Sequence, residues 1–174
     1  MSAFNRLNAI ALLTALAAVS ACDDSRSVAV PTSPMGVAPG AVSAYIAASN
    51  TNPAPGSNVT LSVRALRGAG VSAIGSYTIR LGYDSTRLRF VESPRSAKGM
   101  VMANPAKRGL VVAAGAAAEG FTDDVLFTAT FTVLQSNALR SLELNVSELN
   151  SIAFQDQRAN TYVSRGLYRA APQR

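Results

Sequence analysis

The sequence predicts an all-β domain, a β-sandwich built of two sheets and about nine strands. Three observations point there. Short runs in which apolar and polar residues alternate recur from Val42 to Tyr168. Clusters of Gly, Pro, Asn and Asp separate these runs at intervals of about ten residues. Helical periodicity fits only the alanine-rich stretch Ala113–Ala118, and Gly115 and Gly120 oppose it, since glycine costs a helix about 1 kcal/mol relative to alanine.

Side chains alternate across a strand, so a period of two places one face on a core and the other in water. The first run has Val42, Ala44 and Ile46 on one face and ends at the turn Asn52-Pro-Ala-Pro-Gly-Ser-Asn58. Val59, Leu61 and Val63 form the second, followed by a connection marked by Gly68, Gly70 and Gly75. Tyr77, Ile79, Leu81 and Tyr83 share the inward face of the third, with Thr78 and Arg80 outward. In the fourth, Leu88 and Phe90 point inward and Arg87 and Arg89 outward. Met100–Ala103 is a short fifth run that stops at Asn104-Pro105. Leu110–Ala117 is continuously apolar, which predicts burial on both faces. Val125–Leu134 carries the clearest pattern, with Phe127, Ala129, Phe131 and Val133 inward and Thr128, Thr130 and Thr132 outward. Leu142, Leu144 and Val146 alternate again, and Gly166-Leu-Tyr-Arg169 closes the domain at residue 170, before a tail of residues 171–174.

The chain ahead of this domain has a different character. A short start carrying Arg6 precedes the apolar run Ala9–Ala18, and Val-Ser-Ala-Cys follows at residues 19–22. A basic start, an apolar middle and small residues at the end form a secretory signal, expected here over residues 1–21. Cys22, the only cysteine, stands where the acylated cysteine of the bacterial lipobox stands, and the segment resembles that motif. The resemblance implies removal of residues 1–21, lipid attachment at Cys22 and anchoring to the envelope, periplasm-facing or at the cell surface. Asp23 and Asp24 resemble an inner-membrane retention signal of enteric lipoproteins, a rule not shared by all bacteria. Residues 22–40, broken by Pro31, Pro34 and Pro39, read as a semi-extended tether.

Several segments, in order, resemble cohesin domains. Pro55-Gly56-Ser57 ahead of Val-x-Leu-x-Val is similar to the Pro-Gly-Asp segment before their second strand. Tyr77-x-Ile-x-Leu-x-Tyr83-Asp84 followed by Leu88-x-Phe90 resembles their Tyr-Asp-Pro segment between strands, with Ser85 in place of the usual proline. Gly109–Ala114, Asp124–Phe131 and Gly166–Tyr168 resemble their later strands. The resemblance spans residues 42–170 and implies a nine-stranded, jelly-roll-like sandwich of the cohesin and carbohydrate-binding-module type. It also implies a module that binds proteins and catalyses nothing.

The composition narrows the function from the other side. The chain has no histidine, so Ser-His-Asp, Cys-His and His-based metal chemistry are excluded. The net charge of +6 is carried mostly by arginines scattered singly, which does not suit nucleic acid. Glu92, Glu143, Glu148 and Asp156 show no spacing that singles out a glycosidase pair. Asp123, Asp124 and Glu119 lack the spacing of a calcium loop. No cofactor and no metal is expected. Tyr45, Tyr162 and Tyr168 are candidate platforms for a sugar, with strand packing as the plainer explanation. Arg64, Arg80, Arg87 and Arg89 are the candidate partner-binding residues, a basic patch for an acidic protein, a glycan or lipid headgroups. The plainer explanation is that their charges keep strand edges from pairing wrongly. The expected role is an adaptor or scaffold that recruits a protein at the membrane surface. A polysaccharide-binding module and a structural accessory of a secretion or surface apparatus are the alternatives.

Overall fold

A computed structural model describes residues 36–95, 100–104, 107–121 and 124–170. The expected signal, Cys22 and most of the tether lie outside the described residues, as do Asp123 and the tail. Nine strands are described: β1 Val42–Ala48, β2 Asn58–Arg67, β3 Ile74–Gly82, β4 Leu88–Arg95, β5 Met100–Asn104, β6 Leu110–Phe121, β7 Val125–Val133, β8 Glu143–Ser151 and β9 Thr161–Arg169. Two short 3₁₀ turns, Ala138–Ser141 and Arg158–Asn160, flank β8. The strands form a five-stranded sheet ordered β4-β7-β2-β1-β9 and a four-stranded sheet ordered β5-β6-β3-β8. All pairings are antiparallel except β1 with β9.

The core lies between the sheets and follows the alternation. Val59, Leu61, Val63, Phe127, Phe131 and Val133 project from the five-stranded sheet, and Tyr77, Ile79, Leu81, Val111, Ala113 and Leu149 meet them from the other. Tyr83 and Phe90 pack edge-on against Phe131, with ring centroids 5.0 and 5.6 Å away. Each fully buried aliphatic or phenyl side chain contributes about 1.5–3 kcal/mol relative to exposure.

Of several register shifts, two bulges change which residues reach the core. Val63 pairs with Phe127 but Arg64 pairs with Val125, so Leu126 is an extra residue in β7 and is buried beside Phe127. Thr78 pairs with Glu148 and Ile79 with Val146, so Ser147 is extra in β8. That step lets Leu149 face the core although it is out of phase with Leu144 and Val146. Gly115 lies under the Tyr77 ring, where an added Cβ would stand 2.5 Å from a ring carbon.

Two expectations are corrected. The β6 segment Leu110–Ala117 is buried on one face only: Val111 and Ala113 are in the core, while Ala114 and Ala116 are exposed. Its continuous apolarity reflects small outward residues rather than a second covered face. Conversely, β1 is buried along its whole length, not on alternate residues. Its outward Tyr45 is covered by Tyr168, with ring centroids 5.1 Å apart, and takes a hydrogen bond with Arg64 from the neighbouring strand.

Candidate functional site

The register of the four-stranded sheet arranges its outer face in rows. Met102 of β5 lies beside Ala114 of β6, then Thr78 of β3, then Glu148 of β8. The next row runs Met100, Ala116, Ser76, Asn150. On the other side, Val112, Arg80 and Asn145 line up. Met100 and Met102 are 71% and 70% exposed, beside alanines that raise no relief. The β5–β6 half of the face is therefore flat and apolar.

The β3–β8 half is polar and braced. The Thr78 hydroxyl donates to Glu148 Oε2 at 3.1 Å, and Asn150 Nδ2 donates to Glu148 Oε1 at 2.8 Å and to Ser76 Oγ at 3.2 Å. Both oxygens of Glu148 are thus engaged. The face offers flexible thioethers beside a fixed row of hydrogen-bonding groups. Apolar contact bordered by polar groups is the composition of a protein-docking surface, and methionine adapts its shape to a partner.

The four arginines do not form one patch. Arg80 sits on the outer face of the four-stranded sheet. Arg64 and Arg89 sit on the outer face of the five-stranded sheet, on the opposite side of the sandwich. Arg64 is half-buried against Tyr45. Arg87 precedes β4 in a turn, ion-paired to Asp84 at 3.3 Å and donating to the Ser136 carbonyl at 3.3 Å. Hydrogen bonds from Thr86, then the Arg87 charge, hold the Asp84 carboxyl below the usual range. Strand alternation alone does not tell which strands share a sheet, and this divides the set.

Strand packing, the plainer explanation of the three tyrosines, describes Tyr45 and Tyr168. Tyr45 is 2% exposed, and Tyr168 packs on it while its hydroxyl lies 2.6 Å from Ser164 Oγ. Tyr162 alone of the three is exposed. Asp124 pairs with Arg67 at 3.8 Å. Asp156 is held by Arg158, whose hydrogen bonds lower its carboxyl to about 2. Among the described residues no group of three or more His, Cys, Asp or Glu is placed to hold a metal. An open cleft of about 1230 Å³ lies between the edges of β8 and β9, with Asn137, Arg140, Glu143, Asn145 and Arg165 along it.

A family model described as the cohesin domain matches residues 44–164. The chain belongs to the cohesin family. Solved cohesins share its fold. The sixth cohesin of scaffoldin B from Acetivibrio cellulolyticus, in complex with a mutant Cel5 dockerin, aligns with a TM-score of 0.56 at 17% identity, covering 76% of this chain and 99% of that one. A non-cellulosomal cohesin from the archaeon Archaeoglobus fulgidus gives 0.55 at 16%, covering 71% and 86%. The CaCohA2 cohesin of Clostridium acetobutylicum gives 0.55 at 13%, covering 75% and 91%. No curated protein matches by sequence. At these identities the likeness speaks to the fold of this cohesin domain. The exposed methionine and alanine face was not singled out from sequence, although Met100 and Met102, two positions apart in a strand, carried its signal.

Proposed function

We propose that this protein is a non-catalytic lipoprotein of the bacterial envelope, an adaptor whose cohesin domain docks a protein through the outer face of its four-stranded sheet. Lipid on Cys22 holds the tether of residues 22–40, and the tether presents the domain. The observation that carries the docking reading is the pair of exposed thioethers, Met100 and Met102, level with Ala114 and Ala116. The dockerin-bound Acetivibrio cohesin supports it as a use to which this fold is put. Confinement at the membrane raises the local concentration of whatever the face binds.

Ala114→Arg tests this reading. The side chain points to solvent, so the unfolding free energy should stay within about 0.5 kcal/mol of wild type. A protein partner captured from envelope extract should bind at least about tenfold more weakly, a difference of about 1.4 kcal/mol. Arg89→Ala, on the opposite face, should bind as wild type does. Retention on envelope polysaccharide, unchanged by Ala114→Arg, would replace the adaptor with a glycan-binding module.

A further inference from the structure

Phe154 is 93% exposed and its backbone is left-handed, with φ of 58°. A bulky residue is unfavourable in that region, and an aromatic ring in water is unfavourable again. The turn is nonetheless closed tightly. The Phe154 amide donates to the Ser151 carbonyl at 2.9 Å, the Ser151 amide to the Gln155 carbonyl at 3.0 Å, and the Gln155 amide to Ser151 Oγ at 3.2 Å. Ile152, 43% exposed, stands beside it, its amide bonded to the Ala73 carbonyl at 2.8 Å.

This tip lies at one end of the sandwich, where β1 begins, where β4 ends and β5 begins, and where the β2–β3, β6–β7 and β8–β9 connections change sheets. Two segments of that end carry no charge. Residues 36–41 read Gly-Val-Ala-Pro-Gly-Ala, and residues 68–73 read Gly-Ala-Gly-Val-Ser-Ala. They are laced together by Gly40 N–H to Ala69 O and Gly68 N–H to Ala41 O, both 2.8 Å. The charges next to the tip, Asp156 and Arg158, bind each other at 2.7 Å, and Arg67 pairs with Asp124. Glu119 and Arg95 are further charges of this end. The opposite end carries Asp84, Arg87, Lys107, Arg108 and Arg140 in its loops.

The described chain begins at Gly36, at the same end as Phe154. From Cys22 to that point the chain reaches at most about 50 Å fully extended. An N-terminal lipid would leave the Phe154 end nearest to its point of attachment. We propose that Phe154, with Ile152, is a second membrane contact, a shallow apolar wedge that seats at the boundary of headgroups and acyl chains. A single ring binds lipid too weakly to act alone, but the anchor makes its contact an intramolecular one. Seating would stand the sandwich on this end and turn the four-stranded face sideways, along the membrane surface. The inference rests on the lipid-anchor reading.

The chain has no tryptophan, so Phe154→Trp supplies a single fluorescent reporter. The full chain is expressed in cells fed radioactive palmitate, purified and placed with phosphatidylethanolamine–phosphatidylglycerol vesicles, with and without brominated acyl chains. The expected result is a labelled protein whose emission shifts to the blue with vesicles and is quenched by the brominated chains. Label with the emission of an indole in water overturns the wedge and leaves the anchor standing. No label and no shift overturns both. A blue shift that brominated lipid does not quench, and that follows protein concentration or an added protein, assigns the tip to a second copy or a partner and overturns the wedge.

Discussion

Replacing Tyr77 with alanine is expected to lower the unfolding free energy by about 4 kcal/mol, a large share of the roughly 5–15 kcal/mol that holds a domain folded. Tyr77 is 1% exposed and sits between the sheets. Its ring lies against Phe121 at 5.1 Å and Phe127 at 6.3 Å, and it covers Gly115. Its hydroxyl crosses the sandwich and donates to the Leu126 carbonyl at 2.7 Å. Leu126 is the extra residue of the β7 bulge, so the phenol clips this irregular point of the five-stranded sheet to the other sheet. Truncation opens a cavity and strands a buried acceptor. Tyr77→Phe removes only the donor and should cost about 1–2 kcal/mol. Burial raises the Tyr77 pKa, so the neutral phenol belongs to the folded state. Its contribution is complete below the ordinary phenol value of about 10 and declines as pH rises above it. Tyr77→Phe should flatten part of the alkaline loss of stability. Urea unfolding, with the midpoint moving and the slope unchanged, measures all of these.

Cys22→Ser is expected to abolish palmitate labelling and release the protein from membranes while leaving the unfolding free energy of the domain unchanged. The apolar run Ala9–Ala18 is half of the roughly 20 residues that a membrane-spanning helix needs, so it offers no substitute anchor. Stable anchoring takes more than one acyl chain, and the lipobox resemblance implies a diacylglyceryl group with a further amide-linked chain. Loss of every chain at once should move the protein wholly into the soluble fraction. The single cysteine makes no disulfide within the chain, so the substitution touches nothing that holds the sheets together. A loss of cooperative unfolding in this variant would contradict the separation of tether and domain at residue 40.

The strands were legible because one face of nearly every strand is buried and the other is wet. Val59–Val63, Tyr77–Tyr83 and Val125–Val133 show this plainly. The alternation failed where burial does not depend on a residue's own type. Ser43 and Tyr45 point away from the core, yet they are covered, Tyr45 by Tyr168 and Arg64, and that cover is a tertiary fact. Ala114 and Ala116 are apolar yet exposed, because alanine is small enough to face water at little cost. Bulges at Leu126 and Ser147 shift the phase by one residue, a signal no period of two contains. The candidate site was the least legible part. Arg80 parted from Arg64 and Arg89 because successive strands change sheets, and the proposed docking face came together from the β5–β6 pair with β3 and β8, which lie apart from it in sequence.

One face of this cohesin domain, and not the other, is proposed to meet a protein. A photoreactive amino acid placed at Met102 in intact cells tests it most directly, with the same group at Arg89 as the comparison. A discrete protein adduct is expected from position 102 and none from position 89. An adduct from 89 with none from 102 would contradict it.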